Sequence, residues 1–374
     1  MRGAVWDGER LVVTDALRLR ALRAGEVRIR VLASGICHTD INMMDDALVI
    51  PPVVLGHEAA GVVEAFAPDV VGLTAGEPVL VSNQTPCGVC RECVRGDAAN
   101  CDEAWGFAPD HPFSLAGQPV ASFANCSSFA EQIVVRADQV IPAPGLSSRA
   151  AALIGCAVST GYCGARRLGR VAPGDTVVVL GIGGIGVNAL QGAAHAGAAR
   201  IVAADVNAGK EAIAHAFGAT GFMAVPRAAT AADLADRLRE RAAAPIDVAM
   251  ECSGATPAIE AAIRAVKQGG TCVLIGFGRA GAEASFPVRE VVRGRTIVAT
   301  MNGGARPWED YPALVELARS GGIDLDAQIT GVWPLEGIAD AIAAVRAGRV
   351  TRAVLDYTLG AGAAQSSFPG ATTG

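Results

Sequence analysis

The sequence predicts an α/β protein of two domains, in which a doubly wound parallel sheet interrupts a β-rich domain. Three observations predict it. The texture of the chain changes near residue 160, strand and helix patterns alternate from there to about residue 301, and a glycine-rich turn joins the first strand of that run to its first helix. Before the change, EVRIRVLASG, AGVVEAF, EPVLVS and SFAEQIVVRADQVIPAP read as short strands punctuated by Gly, Pro and Asp. TVVVLG (176–181) is a continuous β-branched run suited to a buried parallel strand. GGIGVNALQGAAHAGA follows as a small-residue helix, and ARIVAAD as the next strand. IDVAMECSG, PAIEAAIRAVKQGG, TCVLIGFG and RTIVAT continue the alternation. Beyond residue 302, YPALVELARSG and LEGIADAIAAVRAG are amphipathic helical stretches and RAVLDY a last strand. The expected boundaries are 1–157 with 302–374 for the β-rich domain and 158–301 for the inserted one. Residues 359–374, ending GAGAAQSSFPGATTG, are expected to form a flexible tail.

Composition narrows the function. A chain of 374 residues accommodates two cores, and 51% hydrophobic against 18% charged residues excludes disorder over most of it. The net charge of -6 comes without a basic stripe, which argues against nucleic acid as a partner. A mean hydropathy of +0.36 reflects Ala, Val and Gly, and the run Val177–Val187 is too short to span a bilayer, so no membrane is expected. MRGAVWDGERLVV lacks the apolar core of a signal peptide. Ten cysteines, four of them at metal-ligand spacing, fit a reducing cytoplasm better than a disulfide framework.

Gly181, Gly183 and Gly186 form G-x-G-x-x-G at a strand-to-helix junction, with Gly184 in the same turn. The first glycine permits the turn, the second lets a pyrophosphate approach the backbone, and the third lets helix and strand pack closely. Asp205 ends the next strand, placed to accept hydrogen bonds from an adenosine ribose and to repel a 2′-phosphate, which favours NAD over NADP. Lys210 either reaches the same ribose or is a solvated surface lysine. Flanking strand, helix and acid together outweigh the alternative of a ligand-free turn in an alanine-rich helix.

Cys87, Cys90, Cys93 and Cys101 are spaced C-x2-C-x2-C-x7-C. Four thiolates close a tetrahedron around Zn²⁺ and leave no open position, the signature of a structural site. A catalytic zinc needs three protein ligands and one exchangeable position. Cys37 in GICHTDIN, His57 beside Glu58 in VLGHEAAG, and Cys156 in LIGCAVSTGY are candidates for such a set, although each alone reads equally well as a buried cysteine or core histidine.

In order along the chain, GICHTD, GHEAAG, the four-cysteine lobe, GCAVSTGY, GIGGIG and GRVTRAVL resemble the zinc-dependent medium-chain alcohol dehydrogenases, over residues 2 to 357. The resemblance implies a GroES-like catalytic domain and a Rossmann cofactor domain, two zincs per chain and NAD(H). It implies Cys37, His57 and Cys156 as ligands of the catalytic zinc, Glu58 as a neighbour able to coordinate transiently, and Asp40 orienting His57. Thr39 would hydrogen-bond the alcohol oxygen and begin the proton path. His38 and Arg352 match pyrophosphate contacts, and Thr160 and Ile185 match positions that press on the nicotinamide. The implied activity is that of an NAD-dependent alcohol dehydrogenase or aldehyde reductase acting on a small alcohol or aldehyde, as a homodimer with a tetramer as the alternative.

Three departures from the family pattern bear on the substrate. Asn42 stands where many members carry a proton-relaying histidine, so the proton is expected to leave through the cofactor ribose and water. Asn83 stands where a bulky aromatic usually lines the pocket, and with Asn302 near the other wall it predicts a roomier or more polar site. Residues 102–125 contain no Arg or Lys, which weakens the resemblance to the thiol-adduct (glutathione- or mycothiol-dependent) formaldehyde dehydrogenases. That subclass is the enzymatic alternative. A protein that kept the fold and the NAD site but lost the chemistry is the alternative of another class.

Overall fold

The computed structural model describes residues 1–105 and 110–360 and the backbone of 365–366. The tail expected over 359–374 therefore falls almost wholly outside the described residues. Contacts divide the chain into two compact units, Met1–Cys156 with Arg306–Gly374, and Ala157–Ala305.

After three short strands (Gly3–Trp6, Leu11–Thr14 and Arg18–Leu19), the main elements of the first unit in chain order are β1 (Glu26–Ile36), α1 (His38–Asp45), β2 (Glu58–Phe66), β3 (Pro78–Val81), β4 (Gln132–Arg136), β5 (Val140–Pro142) and α2 (Ser148–Leu153). The second unit carries α3 (Ser159–Cys163), β6 (Thr176–Leu180), α4 (Gly184–His195), β7 (Arg200–Asp205), β8 (Gly221–Ala224), α5 (Ala231–Ala242), β9 (Val248–Glu251), α6 (Thr256–Ala265), β10 (Thr271–Leu274) and β11 (Thr296–Ala299). The chain then returns to the first unit with α7 (Pro307–Arg319), β12 (Ile329–Trp333), α8 (Ile338–Arg346), β13 (Arg352–Asp356) and β14 (Gln365–Ser366).

In the first unit the main sheet runs β5-β3-β2-β1-β13-β12-β14, with β4 also on β1. β1 shows why: Val27, Ile29 and Val31 are buried while Arg30 between them is exposed, a period of two with one face inward. Its last residues, Ala33 to Ile36, are buried on both faces, and there the chain delivers Cys37.

In the second unit the sheet order is β8-β7-β6-β9-β10-β11, every pairing parallel. The continuous apolar run of β6 has a direct cause. Val177 and Val179 pack into one core with Val187 and Leu190 of α4, while Val178 and Leu180 pack into another with Leu234 and Leu238 of α5. The chain order reverses at β6, which lies between β7 and β9, so the crevice at their carboxyl ends is where such a sheet takes its ligand.

Two differences from the sequence reading have physical reasons. The strand β8, GFMA, carries no β-branched residue and offers no strand signal, yet pairs with β7 in register. The turn Met301–Gly304, of which residues 302–304 were assigned above to the β-rich domain, groups with the second unit: a Cβ on Gly303 would stand 2.2 Å from the Thr160 carbonyl oxygen, so the turn is pressed onto α3.

Candidate functional site

Cys37 lies in extended backbone between β1 and α1. One turn on, the fully buried Asp40 accepts three hydrogen bonds: from the Cys37 N–H at 3.1 Å, the Gly56 N–H at 3.1 Å and His57 Nδ1 at 2.9 Å. A single carboxylate thereby ties the turn that carries Cys37 to the turn that carries His57, and leaves His57 Nε2 as the free ligand atom. Cys156 comes from the opposite direction, on a π-turn (Ile154–Val158) that continues α2. Such turns recur at functional sites because they re-aim one side chain out of the helical order. The ligand atoms of Cys37, His57, Glu58 and Cys156 all lie within 4.8 Å of one another, and all four residues are buried.

The electrostatics of this cluster suit it to hold a cation. A hydrogen bond from Cys156 holds the Cys37 thiol well below its usual range against the effect of burial, and the same contact with burial pushes Cys156 well above. Burial works to lower His57, but Asp40 and Cys37 outweigh it and raise it. Burial pushes Glu58 up to about 7 despite the pull of Arg352. Glu58 Oε2 pairs with Arg352, while its Oε1 is buried without a hydrogen-bond partner. Arg352 alone cannot balance these donors. A divalent cation lets them ionise together, and two thiolates with one imidazole are the donors zinc prefers.

In the lobe, the sulfurs of Cys87, Cys90, Cys93 and Cys101 lie within 4.8 Å of one another, Cys87 and Cys93 at 4.0 Å. Sulfurs around a tetrahedral zinc stand about 3.7 Å apart. Backbone N–H groups already point at them: Cys90 donates to Cys87 Sγ at 3.2 Å, Cys93 to Cys90 Sγ at 3.4 Å and Cys87 to Cys101 Sγ at 3.4 Å. The N–H groups of Val89 and Cys90 lower the Cys87 thiol to about 7. Arg306 Nε donates to the Gly96 carbonyl at 2.8 Å, fastening the lobe to the start of α7. The two sets fit two zinc ions, one held by four thiolates and one by Cys37, His57 and Cys156 with Glu58 beside them.

In the second unit, Gly181 has a φ of +87°, and a Cβ on Gly186 would stand 2.0 Å from the Gly181 carbonyl oxygen, which is why the third glycine of the motif cannot be larger. Around Gly183 nothing lies within 4 Å of a Cβ, so the backbone is open there to a ligand. Asp205 accepts from the Ile182 N–H at 2.7 Å and the Asn207 N–H at 2.8 Å, and Lys210 Nζ is 3.2 Å from its Oδ2. Lys210 is thus no solvated surface lysine: its side chain is 12% exposed and held by the acid. A cavity of about 290 Å³ opens between Gly181, Asp205, Pro226 and Ser253, beside the glycine turn and the acid.

The remaining sequence candidates are distributed as follows. Thr39 Oγ1 lies 3.6 Å from Cys37 Sγ. Asn42 is buried on α1 and Asn83 beyond the end of β3, whereas His38 is exposed. Arg352, matched to a pyrophosphate contact, is 5% exposed and spends its guanidinium on Glu58. Thr160 is buried in α3 and Ile185 partly buried in the first turn of α4. Asn302 has φ 48° and ψ 32°, a left-handed turn position in the second unit. One residue escaped the sequence reading: Phe123 meets the His57 ring edge-on, centroids 5.8 Å apart at 79°. Its only signal was an aromatic amid the small residues of ASFANCSS.

A closed metal set, an open one and a parallel-sheet dinucleotide cradle define a metal-dependent oxidoreductase of the nicotinamide type. Comparison with known proteins makes that specific. Residues 23–145 match the alcohol dehydrogenase GroES-like domain and residues 184–320 the zinc-binding dehydrogenase domain. An S-(hydroxymethyl)glutathione dehydrogenase of Candida maltosa is 31% identical over 94% of this chain and 96% of its own. Among solved structures, an alcohol dehydrogenase zinc-binding domain protein from Burkholderia ambifaria superposes with a TM-score of 0.87 at 31% identity, over 95% of this chain and 98% of that one. Benzyl alcohol dehydrogenase from Acinetobacter calcoaceticus does so at 0.86 and 27%, with the same coverage. The chain belongs to the zinc-dependent medium-chain alcohol dehydrogenase family. It is an enzyme, an NAD-dependent oxidoreductase whose substrate is a small-molecule alcohol or aldehyde.

Proposed function

We propose that the protein interconverts a small free alcohol and its aldehyde or ketone at the Cys37–His57–Cys156 cluster, with Thr39 as the residue that handles the substrate proton. The observation that supports this is the Thr39 hydroxyl 3.6 Å from Cys37 Sγ, beside the buried donor set of Cys37, His57 and Cys156. Cys37, His57 and Cys156 would hold a zinc supplying Lewis acidity there, and a bound nicotinamide would supply the hydride chemistry. The remaining work falls to the chain. Asp40 fixes the His57 ring, Thr39 accepts a hydrogen bond from the substrate hydroxyl and relays its proton by passing its own on to water, and Phe123 with Asn83 lines the space for the carbon skeleton. Asn42, three residues on from Thr39, cannot titrate and so cannot carry the proton further. His38 and the turn at Gly183 are the proposed pyrophosphate contacts, and Thr160 with Ile185 those of the nicotinamide.

The name of the Candida maltosa relative favours a second reading, a thiol-adduct substrate. Such a substrate brings a carboxylate that needs a basic partner. The segment 102–125 has no Arg or Lys, its one basic side chain being His111, and Arg20 and Arg23 nearby are ion-paired to Asp110. Free alcohols are therefore favoured. Reduction of NAD, followed by absorbance across primary, secondary, aromatic and polar alcohols, tests this. Activity confined to formaldehyde with added glutathione or mycothiol would reverse the choice.

The same reading extends to assembly and location. β11 is paired on one side only among the described residues, and Phe277, Phe286, Val288, Val292 and Met301 around it are exposed. A homodimer closed over this edge is the proposed state. Light scattering of Val292→Glu should then give a monomer where the native chain gives a dimer. None of the ten cysteines, all of them among the described residues, is joined in a disulfide, which suits a reducing compartment such as the cytoplasm.

A further inference from the structure

Glu251 is a fully buried acid with no assigned task. It ends β9, next to β6 in the sheet. Its Oε1 accepts from the Ser253 N–H at 2.8 Å, from the Gly254 N–H at 3.1 Å and from the Ser253 hydroxyl, and its Oε2 accepts from the Gly254 N–H at 3.0 Å. Every donor belongs to the turn that follows the strand, so the carboxylate folds that turn over its own head. The turn in turn touches the cradle: a Cβ on Gly181 would stand 2.8 Å from Ser253 Cβ, and both residues line the same cavity. On its other side, a Cβ on Gly276 would stand 2.7 Å from Glu251 Oε2, so the carboxylate is walled in.

The fold alone does not require this acid. The neighbouring strands β6 and β10 end in Leu180 and Leu274, and an apolar residue would avoid the cost of burying a carboxylate. Among the described strands of this sheet, only β7 and β9 end in acids, and these are the two that flank β6 and its glycine turn. Asp205 holds one side of that turn through the Ile182 N–H. Glu251 holds the other side through Ser253.

We propose that Glu251 is a positioning residue for the cofactor: its carboxylate fixes the Ser253–Gly254 turn as one wall of the cavity that starts at Gly181. The inference rests on the dinucleotide reading of that cavity. Removing the carboxylate leaves two backbone N–H groups and a hydroxyl without their acceptor, and the wall loosens.

The test is a titration of NADH by its own fluorescence. Glu251→Ala should raise the dissociation constant about tenfold, while kcat at saturating cofactor stays within about twofold. Glu251→Gln keeps an acceptor oxygen and should recover most of the affinity; Gln as weak as Ala would overturn the hydrogen-bond account. A flat titration of the native protein would sink the dinucleotide reading itself. A native protein that binds, with Glu251→Ala binding equally well whatever its melting temperature, would leave Glu251 a residue of the fold only and overturn the proposal. Should Glu251→Ala not fold, Glu251→Asp, one methylene short of the same donors, carries the same comparison.

Discussion

Asp40 and Asn302 are residues whose structural duties differ in kind from what their chemistry first suggests. Asp40 joins the Cys37 and His57 turns through three hydrogen bonds. An asparagine there keeps the shape but turns one acceptor into a donor facing N–H groups. Asp40→Asn should therefore weaken zinc at the open set by about 10- to 100-fold, while the four-cysteine set keeps its ion. Metal analysis after dialysis against a mild chelator reads this directly: a fall from two zincs to one is expected, and two retained would refute it. Asn302 was read as a pocket wall, but its φ of 48° is a backbone demand that asparagine and glycine meet and β-branched residues do not. Asn302→Val should cost about 1–2 kcal/mol in denaturant unfolding and Asn302→Gly far less; equal losses would return the residue to a side-chain role. The ligands were legible because chemistry restricts them to Cys and His in short recurring motifs. The backbone duty of Asn302 was not legible because a left-handed turn leaves no periodic trace in sequence.

Among elements, legibility followed burial. β6, buried on both faces, announced itself as an unbroken apolar run, and the glycine motif located α4. β8 and the π-turn at Cys156 did not, since the first lacks β-branched residues and the second is a matter of hydrogen-bond register within a helix of ordinary composition. The four-cysteine lobe was legible as a metal site, yet only the structure shows what it fastens. Its short helix and turns bury little apolar area, and Trp105 closes it by donating from Nε1 to the Ala99 carbonyl at 2.9 Å. With so little core, its order depends on the metal. Cys90→Ser should thus release one zinc, lower stability by more than about 3 kcal/mol and shift tryptophan emission as Trp105 comes loose. Retained emission and stability would show that the lobe holds itself together without its ion.

At the scale of the molecule, the first unit is assembled from two stretches of chain separated by residues 157–305, and its closure depends on contacts made only after the chain returns. β13 pairs antiparallel with the end of β1, directly before Cys37, so the returning segment completes the strand that delivers a metal ligand. Sequence patterns indicated the insertion by the change of texture near residue 160, but not which side chains close the ring, because such pairs lie hundreds of positions apart. Asp356, at the end of β13, is one. It accepts from Arg149 Nε at 2.6 Å, the Thr358 N–H at 2.8 Å and the Thr358 hydroxyl at 2.6 Å. Burial works to raise its pKa, but Thr358 and Arg149 outweigh it and hold the carboxyl below the usual range. A carboxylate lowered in the folded state stabilises fully above its unfolded pKa of about 4, and the gain disappears as pH falls through the lower, folded value. Asp356→Asn should therefore cost about 1–2 kcal/mol at pH 7, and the difference from the native protein should shrink as pH falls below about 4. All four tryptophans, Trp6, Trp105, Trp308 and Trp333, lie in this unit, so emission during urea unfolding reports the relevant stability. A difference that stayed constant from pH 7 down to about 3 would mean that the amide disturbs packing rather than charge, and the closure would then owe nothing to the ion pair.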